Sequence, residues 1–176
     1  LKRMFDESEF LSDFGIRSLS KYHQKHPYKF AFEGGSMQVD YTPAESTGDM
    51  FGGNSNWRGP IWFPMNYLIL DSLSKFSDYY GSDYEVEYPT NSGQMMNIKD
   101  AASGVSKRLL AMFVPGKDGK IPMYGEYEKM QSDPNFKDKH LFFEYFDGDT
   151  GKGLGASHQT GWTGLISEII RQLHVK

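Results

Sequence analysis

Apolar residues recur at helical spacing in three stretches of this chain and alternate in a fourth. Over 61–80, Met65, Leu68, Ile69, Leu73 and Phe76 form one stripe, the pattern of a helix with a buried face. Pro60 and Pro64 stand in its first turn, where a missing N–H costs little, and Gly81 closes it. Over 98–114 the stripe is Ile98, Ala101, Ala102, Val105, Leu109, Met112 and Phe113. Asn97 and Asp100 read as a capping pair, and Pro115-Gly116 as the stop. Over 161–173 the stripe is Trp162, Leu165, Ile166, Ile169, Ile170 and Leu173.

The alternating stretch is 29–41. Phe30 and Phe32 precede Gly34-Gly35, and Met37, Val39 and Tyr41 follow it, which predicts a β-hairpin. Residues 1–27 read as short helical or turn-like pieces, broken at His26-Pro27. Residues 42–59 form a long polar, Gly-rich loop, a type that is often functional. Two further segments, 119–127 and 140–153, read as extended. Long helices joined by long aromatic-rich loops differ from a short-loop bundle. They fit a toroid of paired helices with its site at one mouth.

Composition narrows the function. The chain has 176 residues, enough for one domain over 1–176 with a real core. Aromatic residues reach 15%, a high share for an ordinary domain. The net charge of −4 comes with no Lys/Arg run, so no nucleic-acid partner is expected. No apolar run is long enough to span a membrane, and no signal peptide is visible. The absence of cysteine excludes disulfides and thiolate metal sites, and a cytoplasmic setting is expected. The chain begins Leu-Lys-Arg rather than with Met, so a piece of a longer protein is expected.

Candidate chemistry concentrates in two places. In "GGNSNWRGPIWFPMNYLIL" (52–70), Trp57, Arg58 and Trp62 crowd the passage from loop to helix. Indole faces stack on the C–H face of sugars, and a guanidinium offers a fork of donors to hydroxyls or a carboxylate. A Trp at a helix start also plugs cores, and that structural role competes. In "LFFEYFDG", Glu144 stands among Phe142, Phe143, Tyr145 and Phe146. On a strand it shares a face with Phe142 and Phe146, and an apolar setting tunes a carboxyl toward acid/base work. The competing role is a carboxylate turned to water or paired with Arg. "DGDTGKG" (147–153) starts like a calcium loop, but its twelfth position is His158 rather than Glu. An ordinary tight turn fits it better. His158 and Gln159 precede the last helix, where they can reach a ligand or cap. No His and carboxylates have ligand spacing, so neither a metal nor a cofactor is expected.

"GGNSNWRGPIWFPMNYLIL", followed by "FFEYFDGDTGKGLGASHQTGWTGL" (142–165), resembles glycoside hydrolase family 63, which includes processing α-glucosidase I and bacterial relatives. "FLSDFGIRSLSKYHQKHPY" (10–28) and "YTPAEST" (41–47) resemble its bacterial branch. The resemblance implies a mainly α fold, the C-terminal portion (roughly half) of an (α/α)6 toroid, with long loops and a short β-hairpin. It implies inverting hydrolysis of α-glycosidic bonds in oligosaccharides, with two carboxyl groups roughly 6.5–9.5 Å apart around a water. It puts the general base at Glu144, has Trp57 and Arg58 contact the sugar or orient that carboxylate, makes Trp62 a pocket wall, and gives Asn66 a helping place in substrate binding. His158 and Gln159 are carried over with less support from the motif.

The family's general acid is an Asp lying well upstream of the base, and the first stretch of this chain matches a segment already past it. Asp6 and Asp13 fall in that segment and are not promoted. The chain is therefore expected to carry the base and part of the sugar pocket, and to be inactive alone. Helix faces meant for the missing part would be exposed, so the remainder of the barrel or self-association is expected to cover them. Two alternatives remain: a non-catalytic carbohydrate-binding module, and a trehalase- or glucoamylase-like toroid enzyme.

Overall fold

The computed structural model describes residues 1–48 and 56–174. Part of the predicted 42–59 loop, residues 49–55, lies outside the described residues. Helices predominate, and the strand pairs are short. In chain order, β1 (Leu11–Ser12) pairs with β2 (Gly15–Ile16), and β3 (Tyr28–Phe32) with β4 (Gly35–Val39). Helix α1 (Phe63–Tyr80) follows, then the pair β5 (Glu85–Glu87) and β6 (Met95–Asn97), then α2 (Ile98–Ala111). The last part holds α3 (Glu128–Ser132), the pair β7 (Tyr145–Phe146) and β8 (Gly153–Leu154), α4 (Thr160–Thr163) and α5 (Ile166–His174).

α1 and α2 pack together, and α5 packs on α2. α2 begins as its sequence predicts: the Asn97 side chain accepts the Asp100 N–H at 2.8 Å, which satisfies one of the free donors of the first turn. Ile98, Ala101, Val105 and Leu109 are buried, and Met112 and Phe113 continue the face. α1 ends at Gly81, whose φ of 76° suits a residue without Cβ.

Its buried face differs from the predicted stripe. Phe63, Asn66, Leu70 and Leu73 point inward, while Met65, Leu68 and Phe76 are exposed. α1 carries apolar residues on two sides, so spacing alone could not choose between them.

The predicted hairpin forms, with Phe30 opposite Met37. Tyr28, Phe30, Phe32 and Met37 are all exposed. The predicted helix over 161–173 is two pieces, α4 and α5, separated at Gly164-Leu165. Glycine at 161 and 164 weakens a continuous helix there. Residues 119–127 are not extended. A 3-10 turn covers Pro122–Tyr124, and the Gln131 amide takes the place of a strand partner. It accepts from Ile121 N at 2.9 Å and donates to Ile121 O at 3.0 Å.

Candidate functional site

One residue joins the two motifs. Ile61, just ahead of α1, exchanges backbone hydrogen bonds with Phe146: N to O at 2.8 Å and O to N at 3.0 Å. It also bridges Arg17. This pairing draws the Trp-Arg turn and the Glu144 segment together across a long stretch of the chain. A Gly59 φ of 144° and its missing Cβ let the Tyr41 ring pass; an added Cβ would stand 2.7 Å from that ring. Asn56 staples the loop from inside, donating to Thr42 O at 2.7 Å and to Ala44 O at 2.6 Å.

The indoles form a stack. Trp62 lies between Trp57, at 4.1 Å and 1°, and Tyr145, at 4.8 Å and 20°. Trp162 meets it edge-on at 6.1 Å. Trp62 is 2% exposed, and its Nε1 donates to Asn56 O at 2.9 Å. Both its faces are covered by rings, and it supports Trp57 from behind. Trp57 is 41% exposed and Trp162 36%. Trp162 thus points outward, where the helical stripe placed it inward.

Arg58 is buried. It donates to Asp40 Oδ1 at 3.2 Å and Ser46 Oγ at 3.3 Å, so it ties 40–46 to the turn. Its Nε is a buried donor without a partner among the described residues. Asn66 is also buried, and its amide is engaged with β2: Ile16 N donates to Oδ1 at 2.8 Å, and Nδ2 donates to Ile16 O at 2.9 Å. That makes Asn66 a brace of the scaffold.

Glu144 is half-buried, as is Phe142 beside it, while Phe143, Tyr145 and Phe146 are buried. Its N–H donates to Ala156 O at 2.8 Å, and its Oε2 accepts the Ala156 N–H at 3.3 Å. His158 and Gln159 are exposed. His158 bridges Phe142, and the Gln159 N–H donates to Phe142 O at 2.7 Å. Glu144, His158 and Gln159 are thus set on one run of paired backbone, and Trp162 follows in α4. Burial pushes the Tyr145 phenol up, and the negative charges of Glu45 and Glu144 push it further. Glu45, unremarked in the sequence, therefore lies near the same phenol.

"DGDTG" is a tight turn: Asp147 Oδ1 accepts from Asp149 N at 2.8 Å and Thr150 N at 3.0 Å. Asp149 then clamps distant parts, accepting from Arg17 at 3.2 Å, Lys21 at 3.0 Å and Tyr41 OH at 2.9 Å. Burial works to raise the Asp149 carboxyl, but the bonds from Lys21 and Tyr41 and the charges of Lys21 and Arg17 outweigh it and hold it low. Burial, the largest influence, pushes the Tyr41 hydroxyl well up. Among the described residues, no group of three or more His, Asp or Glu is placed to hold a metal. No helix among them is long and apolar enough to cross a membrane. A cavity of about 470 Å³ lies beside the stack, lined by Trp57, Trp62, Met65 and Ile69 among others. Glu144 is not in its lining, whose mostly apolar surface includes the polar side chains of Arg3, Arg17, Ser18 and Asn66.

A family model described as the mannosylglycerate hydrolase MGH1-like glycoside hydrolase domain matches residues 1–163. An uncharacterized protein of Saccharomyces cerevisiae is 52% identical over 177 aligned positions, covering 99% of this chain and 16% of that protein. A probable mannosyl-oligosaccharide glucosidase of Schizosaccharomyces pombe is 30% identical over 173 positions, covering 98% of this chain and 15% of the relative. The mannosyl-oligosaccharide glucosidase of Saccharomyces cerevisiae is 28% identical over 168 positions, covering 95% and 14%. The chain thus spans 16% or less of the length of these relatives.

Proposed function

Because this chain belongs to the MGH1-like glycoside hydrolase domain family, with glucosidases among its relatives, we propose that it contributes the general base and part of the sugar pocket to an inverting α-glycosidase acting on oligosaccharides. The resemblance to glycoside hydrolase family 63 stands on the same matches. The observation that carries the proposal is the Ile61–Phe146 pairing, which brings the Trp-Arg turn beside the segment that holds Glu144 among aromatics.

In the reaction proposed, a water donates its proton to the Glu144 carboxylate as its oxygen attacks the anomeric carbon. The bond to the leaving oxygen breaks, and a second carboxyl group gives that oxygen a proton. The second group, the general acid, is proposed to lie outside these residues, in the same protein. Trp57 and Trp162, whose rings are the exposed members of the stack, offer faces to the sugar. Arg58 acts on the site by holding the loop that carries Trp57.

The larger fold proposed is an (α/α)6 toroid, of which α1, α2 and α5 are members. The exposed apolar side of α1 and the exposed β3–β4 hairpin support a covering by the rest of that toroid or, in isolated chains, by self-association. The chain alone is then inactive. The experiment is proton NMR of the first sugar released by the full-length protein from an α-glycoside. The expected product is the inverted, β-configured hemiacetal. A retained α-anomer would reject inversion, and sugar binding without release would favour a carbohydrate-binding module.

A further inference from the structure

Gly155 carries a constraint that the turn containing it does not explain. Its φ is 69°, in a region that residues with a Cβ rarely adopt. Backbone freedom is only part of the reason for glycine. A Cβ built on Gly155 would lie 2.6 Å from Glu144 Oε2, 2.9 Å from the Glu144 Cβ and 3.0 Å from the Tyr145 ring. At Gly34, Gly81, Gly93 and Gly119, also at positive φ, an added Cβ would meet nothing within 4 Å. At Gly155 the space that a Cβ would fill is taken by a carboxylate.

The next residue completes the arrangement. Ala156 gives both its backbone groups to Glu144: its O accepts the Glu144 N–H at 2.8 Å, and its N–H reaches Oε2 at 3.3 Å. The main chain and the side chain of Glu144 are thus held by one peptide stretch. Gly155 and Ala156 are exposed, so neither residue is there to fill a core. A strand partner that needed only to pair would tolerate a side chain at this edge.

We infer that the Gly155–Ala156 corner is a backbone seat that sets the direction of the Glu144 carboxylate. Gly155 is therefore a positioning residue for the hydrolysis. The inference rests on the reading of Glu144 as the base. A base must meet its water within hydrogen-bond reach, and a displacement of about 1 Å at a reacting group costs on the order of 100-fold in rate.

The test uses the full-length protein with para-nitrophenyl α-glucoside as substrate. Gly155→Ala is expected to lower kcat about 100-fold while KM stays within about threefold. Gly119→Ala places the same strain where no atom is met and is expected to keep both constants. Should Gly155→Ala fold poorly, Gly155→Asn, which tolerates positive φ better, is expected to give the same split. Glu144→Gln separates the two claims. If it is as active as the parent, the base assignment fails. If it is inactive while Gly155→Ala keeps a kcat within about twofold of the parent, the seat fails alone. A loss of kcat as large in Gly119→Ala would also overturn the seat. Unfolding of both Gly155 variants while Gly119→Ala stays folded would make Gly155 a folding residue, and overturn it as well.

Discussion

Replacing Asp149 by Asn removes the negative charge facing a buried guanidinium. The Arg17 side chain is 6% exposed and that of Asp149 27%, at 3.2 Å. Lys21, 36% exposed at its side chain, adds only a few tenths of a kcal/mol, as exposed ion pairs do. A hydrogen bond to a charged group contributes about 1.5–3 kcal/mol. Asn keeps an acceptor, and Arg17 retains its bond to Leu11 O at 2.6 Å. Water also reaches Asp149, so the expected loss is about 2 kcal/mol at neutral pH. Urea unfolding of both proteins measures it. The folded carboxyl is held below its usual value, so its contribution is present above about pH 4 and fades as pH falls further. The gap between parent and Asn variant should close below about pH 4. A difference under about 0.5 kcal/mol at pH 7, or a gap that persists unchanged to pH 3, would refute the clamp.

Asn66→Ala should cost about 3 kcal/mol in urea unfolding, because it leaves the N–H and C=O of Ile16 unpaired in the core; a loss near zero would reject the brace. Trp62→Ala should destabilise by about 3–5 kcal/mol, seen as a lowered thermal midpoint, as expected for a ring covered on both faces. Trp57→Ala should cost about 1 kcal/mol of stability yet weaken sugar binding in titration calorimetry; unchanged binding would remove Trp57 from the site. Asn97→Ala should cost about 1 kcal/mol through loss of the α2 cap, measured by the same unfolding.

The elements readable from sequence are those whose signals are local. Asn97 and Asp100 mark the start of α2 within a single turn, and the β3–β4 hairpin announces itself through alternation around Gly34-Gly35. The buried side of α1 was not readable, because Met65, Leu68 and Phe76 mimic a core stripe from the exposed side. In the site, Glu144 and Trp57 stood out by residue type and setting. Gly155 did not, since its constraint comes from a carboxylate eleven positions earlier in the chain, and Asp149 did not, since its partner Arg17 lies 132 residues away. The covered faces of Trp62 are likewise set by Tyr145, on the other motif. Long-range partners leave no period in the chain, which is why the engagement of Asn66 with β2 and the covering of Trp62 by two rings are not legible from residue type.

The central claim is that Glu144 deprotonates the attacking water. The most direct measurement is turnover of an α-glucoside by full-length Glu144→Gln, with binding of the same glucoside titrated in parallel. Turnover should fall by at least about 1000-fold while affinity stays within a few-fold of the parent. Turnover equal to the parent's would contradict the account.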